Sequence, residues 1–85
     1  MQQWRVNVKL NKTEGAEAVV ARAKDFGDEL LPEFPDATES EMKLWYYALV
    51  SDRQSAEALA RHLNHHSMVE SAYAKPKALL ASYEA

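Results

Sequence analysis

The sequence predicts an α+β domain: an antiparallel sheet with two helices packed on one of its faces. Three observations predict it. Trp4, Val6, Val8 and Leu10 alternate with Arg5, Asn7 and Lys9, the two-residue period of a strand with one buried face. Two later segments change to a helical period, around residues 16–26 and 53–63. Between and after them lie apolar runs too short for helices and rich in aromatic or β-branched residues.

The first strand ends in the polar turn Asn11-Lys12-Thr13-Glu14-Gly15. Thr13 is positioned to serve as N-cap of the first helix, and Glu14 suits the positive end of its dipole. Ala16, Val19, Val20, Ala23 and Phe26 form the apolar stripe. Gly27 is the natural stop, because only glycine takes a left-handed backbone cheaply. In Asp28–Ser40, Leu30, Leu31 and Phe34 are apolar, but Pro32 and Pro35 interrupt any regular ladder or helix. A short edge strand or an extended loop is expected there. Met42–Val50 has no breaker and reads as a central strand.

Ser51 and Gln54 have the spacing of a capping box at the start of the second helix. Ala56, Leu59, Ala60 and Leu63 form its inward stripe, and Glu57 and Arg61 are spaced for an i,i+4 ion pair. Asn64-His65-His66-Ser67 ends it. Met68–Ala74 is the last strand, stopped by Pro76. The order is strand, helix, edge segment, strand, helix, strand. Its economical packing is the split βαβ, ferredoxin-like two-layer sandwich. The right-handed crossover rule puts both helices on the same side. Residues 1–76 form one domain, and 77–85 form a C-terminal tail.

Composition narrows the function. Hydrophobic residues make up 47% and charged residues 27% of 85, which places the chain among globular rather than disordered sequences. No cysteine is present, so disulfides, thiolate metal sites and cysteine nucleophiles are excluded. A net charge of −3 offers nothing to a phosphate backbone, so nucleic acid is not an expected partner. No apolar run approaches a membrane span. The first residues lack the basic-then-apolar layout of a secretion signal, which fits a cytoplasmic chain or a secreted one after signal removal.

Few residues suggest catalysis. His62 and His66 stand four apart, as helix metal ligands would. No HExxH pattern accompanies them, and histidines at a helix end ordinarily complement the dipole. No serine sits in a glycine-flanked elbow. The two glycines stand alone and cannot build a phosphate cradle. No enzyme activity, metal or cofactor is expected.

The informative residues are Trp45, Tyr47 and Leu49, which alternate with Leu44, Tyr46, Ala48 and Val50. One set faces the helices and the other faces away, yet neither set is polar. In a two-layer fold the far face normally meets water. Either Asp28–Ser40 wraps over that face, or the face is a partner surface, extended by Tyr73 on the last strand.

Ala56-Glu57-Ala58-Leu59-Ala60-Arg61-His62-Leu63, then Met68-Val69-Glu70-Ser71-Ala72-Tyr73, together with the opening Trp4-Arg5-Val6-Asn7-Val8, resembles the subtilisin propeptide and proteinase-inhibitor family. The likeness spans most of the chain, although 28–40 is longer than the family's middle segment and holds two prolines. The resemblance implies an inhibitor or intramolecular-chaperone-like domain. It would bind a subtilisin-type serine protease through Trp45, Tyr47, Leu49 and Tyr73. Its C-terminal tail would lie in the substrate cleft like a product, adding main-chain hydrogen bonds as an extra strand does. Leu80 and Tyr83 have the spacing to fill two cleft pockets, with the small Ala81 and Ser82 between them. A tail packed on the domain as a short helix, or left disordered, is the alternative. The free chain is then a monomer. The competing expectation is a ferredoxin-like homodimer, joined through the same aromatic face, that binds a small molecule or acts as an oxygenase.

Overall fold

The computed structural model describes residues 3–76 and contains the expected α+β fold. Its elements are β1 (Trp4–Leu10), α1 (Ala16–Asp25), β2 (Leu31–Pro32), a 3-10 turn (Met42–Leu44), β3 (Trp45–Val50), α2 (Arg53–Asn64) and β4 (Val69–Pro76). The sheet is antiparallel throughout, with strand order β2-β3-β1-β4. Each crossover therefore skips a strand: β1-α1-β2 leaves β3 in between, and β3-α2-β4 leaves β1 in between. That is the split βαβ arrangement.

The core lies between one face of the sheet and both helices. Val6, Val8 and Leu10 of β1, Ala48 and Val50 of β3, and Val69 and Ala72 of β4 meet Val19 and Ala23 of α1 and Ala56, Leu59, Ala60 and Leu63 of α2. Leu30 joins them and anchors the segment that precedes β2. The register explains this sidedness. Val6 stands opposite Ala48 and Ala74, and Val8 opposite Tyr46 and Ala72, so one face collects the small and β-branched residues. Lys9 and Leu10 flank a register shift against β4.

Local details depart from the sequence expectations. Thr13 does not cap α1. Gly15 does, in the left-handed region at φ 87° and without a side-chain cap bond, while the Thr13 carbonyl accepts from the Ala16 N–H. The positive φ is what favours glycine there; a Cβ would in addition have to displace the methyl at the flexible end of Met68. The stop at Gly27 holds. At φ 100° it lets the Gly27 and Asp28 N–H groups reach the Lys24 and Ala23 carbonyls, the paired bonds of a Schellman motif.

Met42–Leu44 is a 3-10 turn rather than the start of a strand, so β3 begins only at Trp45. Lys43 and Leu44 donate to Ser40 and Glu41, which closes the turn locally. The cap of α2 is Asp52, not Ser51: its carboxylate accepts from the Ser55 N–H at 2.7 Å and the Ser55 hydroxyl at 3.1 Å. Those bonds hold the Asp52 carboxyl below its usual range. Glu57 pairs with Arg53 at 3.1 Å, not with Arg61. Among the described residues no helix is long and apolar enough to cross a membrane.

Candidate functional site: the outer sheet face

The alternation that buries Val6 and Val8 turns Arg5, Asn7 and Lys9 to the opposite face. Register then fixes their neighbours. Arg5 stands between Leu49 and Lys75, Asn7 between Tyr47 and Tyr73, and Lys9 between Trp45 and Ser71. All four partner-surface residues expected in the strands, Trp45, Tyr47, Leu49 and Tyr73, thus share one face. Leu80, Ala81, Ser82 and Tyr83 lie outside the described residues.

Asp28–Ser40 does not wrap over this face. It extends the sheet sideways: Leu31 pairs with Tyr47, and the Glu33 N–H donates to the Trp45 carbonyl. Leu49 and Tyr73 accordingly remain 42% and 44% exposed, and Leu31 39%. Trp45 and Tyr47 are half-buried.

The strands supply a polar lattice that reading β3 alone missed. The Arg5 guanidinium lies 4.2 Å from the Tyr47 ring centroid, donates through Nε to Asn7 Oδ1 at 3.0 Å, and pairs through Nη2 with Glu33. Asn7, only 8% exposed, donates through Nδ2 toward the Tyr73 hydroxyl at 3.5 Å. Lys9 sits 5.6 Å from the Trp45 ring and pairs with Glu70 at 3.2 Å and Glu41 at 3.3 Å. Hydrogen bonding to those two carboxylates raises its ammonium above the ordinary lysine value. Lys75 lies 5.7 Å from the Tyr73 ring. The cationic side chains therefore lie across the aromatic ones in cation–π contact, and Arg5 and Lys9 are neutralised within the chain.

The result is an amphipathic surface. Its rings are half-covered by their own cations, while Leu31, Leu49 and Tyr73 stand out into solvent. The signal for Arg5, Asn7 and Lys9 was present in the β1 alternation. No local signal could have placed Glu33 beside Arg5, because that contact depends on β2 pairing with β3.

Two other features carry titratable side chains. An open groove of about 610 Å³ runs between the end of α1 and the start of α2, where Phe26, Asp28 and Gln54 contribute to the lining. Burial pushes the Asp28 carboxyl up, but no second titratable group lines the groove with it. The histidines have structural partners. His62 stacks on Phe26 with ring centroids 4.8 Å apart, and His66 Nδ1 accepts from the Met68 N–H at 3.1 Å. Among the described residues no group of three histidine or acidic side chains is placed to hold a metal ion.

Comparison with known proteins finds no matching family model, no matching curated protein and no matching solved structure.

Proposed function

We propose that the chain is a binding domain with no chemistry of its own, docking on a partner protein through the outer face of its sheet. One observation carries the reading: Leu31, Leu49 and Tyr73 stand exposed on a face whose charges are already paired or stacked within the chain. A surface with self-satisfied cations does not call for a polyanion. It suits an apolar, aromatic-accepting partner surface, where tyrosine and arginine are the residues that commonly anchor an interface.

The partner we propose is a subtilisin-type serine protease, following the family resemblance. The sheet face would dock on the enzyme's surface and residues 77–85 would enter its cleft, so that inhibition follows from occupancy. Whether it then acts as a stand-alone inhibitor or as a folding helper, the contact surface is the same. A second reading is an isologous homodimer through this same face. It is favoured by the charge balance, since Arg5, Lys9 and Lys75 face Glu33, Glu41 and Glu70 on or around the patch, and two copies could stack without net repulsion.

Two measurements on the full chain decide between them. Steady-state inhibition of a subtilisin-type protease, with a monomeric free chain in sedimentation velocity, supports the first reading. A doubled mass at micromolar concentration with no inhibition supports the second. A monomer that neither inhibits nor binds the protease removes the proposal.

A further inference from the structure

The open sheet has two edges, and both are closed by specific residues. At the β4 edge, the Asn64 side chain makes two bonds to one residue: Nδ2 donates to the Ala72 carbonyl at 2.8 Å, and the Ala72 N–H donates to Oδ1 at 2.9 Å. A side-chain amide that both donates to and accepts from one strand residue reproduces what a neighbouring strand would offer. These bonds also fix the orientation of β4. Ala72 turns its backbone polar groups away from β1, so Ala74 and Pro76 do the same, as residues two apart on an antiparallel strand must. Pro76 has no N–H to give. Of these three positions beyond the register shift, one is occupied by Asn64 and one has no donor, which leaves Ala74.

The other edge follows the same logic. Glu33 donates to the Trp45 carbonyl, so Glu33 and Leu31 turn toward β3, and Pro32 is the outward residue of β2. It too lacks a donor. An eight-residue edge strand is otherwise a template for pairing with a second chain.

We propose that Asn64 is a surrogate strand that keeps β4 from adding a strand from a second copy of this chain. Association through the sheet is thereby directed to its outer face. The inference stands independently of which partner that face accepts.

The test uses the full chain with Asn64→Ala, and a second variant adding Ala74→Pro. The first leaves the Ala72 N–H and carbonyl open beside Ala74. Proline at the outward position 74 removes one of the two donors then open and sets its ring where an added strand would pair, without touching the ladder to β1. Sedimentation velocity up to about 200 µM should show concentration-dependent association for Asn64→Ala and its loss in the double variant. A folded Asn64→Ala chain that stays monomeric overturns the proposal, as does a double variant that associates equally. The unsubstituted chain supplies a check that does not depend on the variants folding. Its Ala72 amide should exchange with solvent at least about tenfold more slowly than its Ala74 amide. Equal, rapid exchange at both would show that the Asn64 contact does not hold in solution. Protease inhibition by the unsubstituted chain bears on the proposed partner alone and leaves this inference unaffected.

Discussion

Truncating Tyr73 to alanine separates a binding residue from a core residue more cleanly than any other change on the sheet. Tyr73 is 44% exposed, so only about half of a full side-chain burial is there to be lost on truncation. Full burial of a large apolar side chain is worth about 1.5–3 kcal/mol, which puts the half at about 1 kcal/mol. The Asn7 bond at 3.5 Å lies at the outer limit of hydrogen-bond length, and with the Lys75 stacking it adds at most about 1 kcal/mol. The expected stability loss is therefore about 1–2 kcal/mol. An 85-residue chain has an unfolding entropy near 180 cal/mol/K, so the melting temperature should fall by about 6–11 °C. If Tyr73 anchors a partner, the same truncation should weaken association by about 2 kcal/mol or more, close to thirtyfold in Kd. Urea unfolding gives the first number and calorimetric titration of the partner gives the second. Unchanged affinity alongside the stability loss would show that Tyr73 is not in the interface. A stability loss above about 4 kcal/mol would place it in the core. Tyr47 is the poorer probe, because it is half-buried beneath Arg5 and its loss would disturb fold and face together.

Leu63 is fully buried between α2 and the sheet, and Leu63→Ala should cost about 2–5 kcal/mol in urea unfolding. Asp28→Asn should raise stability at neutral pH, because burial lifts the native carboxyl's pKa above its unfolded value. Stability linked to the neutral acid is present below the unfolded pKa and lost as pH rises through the raised native one, so the variant's advantage should vanish in acid. Melting curves of both forms across the acid range check this, and an advantage that persists unchanged at low pH contradicts it. Gly15→Ala should destabilise at least as much as Gly27→Ala. Both sit at positive φ, a strain of about 1–2 kcal/mol for alanine, and at Gly15 the new methyl must also displace the flexible end of Met68.

The elements whose own pattern decides them were legible in the sequence. β1 and α2 each bury one regular stripe, and Val6, Val8, Leu59 and Leu63 are all completely enclosed. The caps were harder to read because neighbouring residues compete for them. Ser51 and Asp52 both suit an N-cap, and the choice went to Asp52, whose carboxylate reaches both donors of Ser55. Apolarity carried the reading of β3 too far back, into Met42–Leu44. Those residues are half-buried or exposed, and their backbone bonds close locally instead of joining the ladder. Segment 28–40 resisted because its ordering is tertiary: Leu30 is held by the core, and Glu33 by Trp45 and Arg5. At the site, Trp45 and Tyr47 could be read from β3 and Arg5 and Lys9 from β1, whereas the acidic partners Glu33, Glu41 and Glu70 come from beside β2, from before the 3-10 turn and from β4, and emerge only from the assembled sheet.

The most direct test of docking through the outer face is a heteronuclear NMR titration of the isotope-labelled chain with an active-site-blocked subtilisin-type protease. Blocking the cleft removes any contribution of the tail and leaves the sheet contact to be read alone. Amide signals of Trp45, Tyr47, Leu49 and Tyr73 should shift or broaden, with their neighbours Arg5 and Asn7, while the exposed residues of α1 and α2 stay in place. Perturbation confined to the helices, or a spectrum unchanged at about 100 µM partner, weaker than most specific protein pairs, would contradict it.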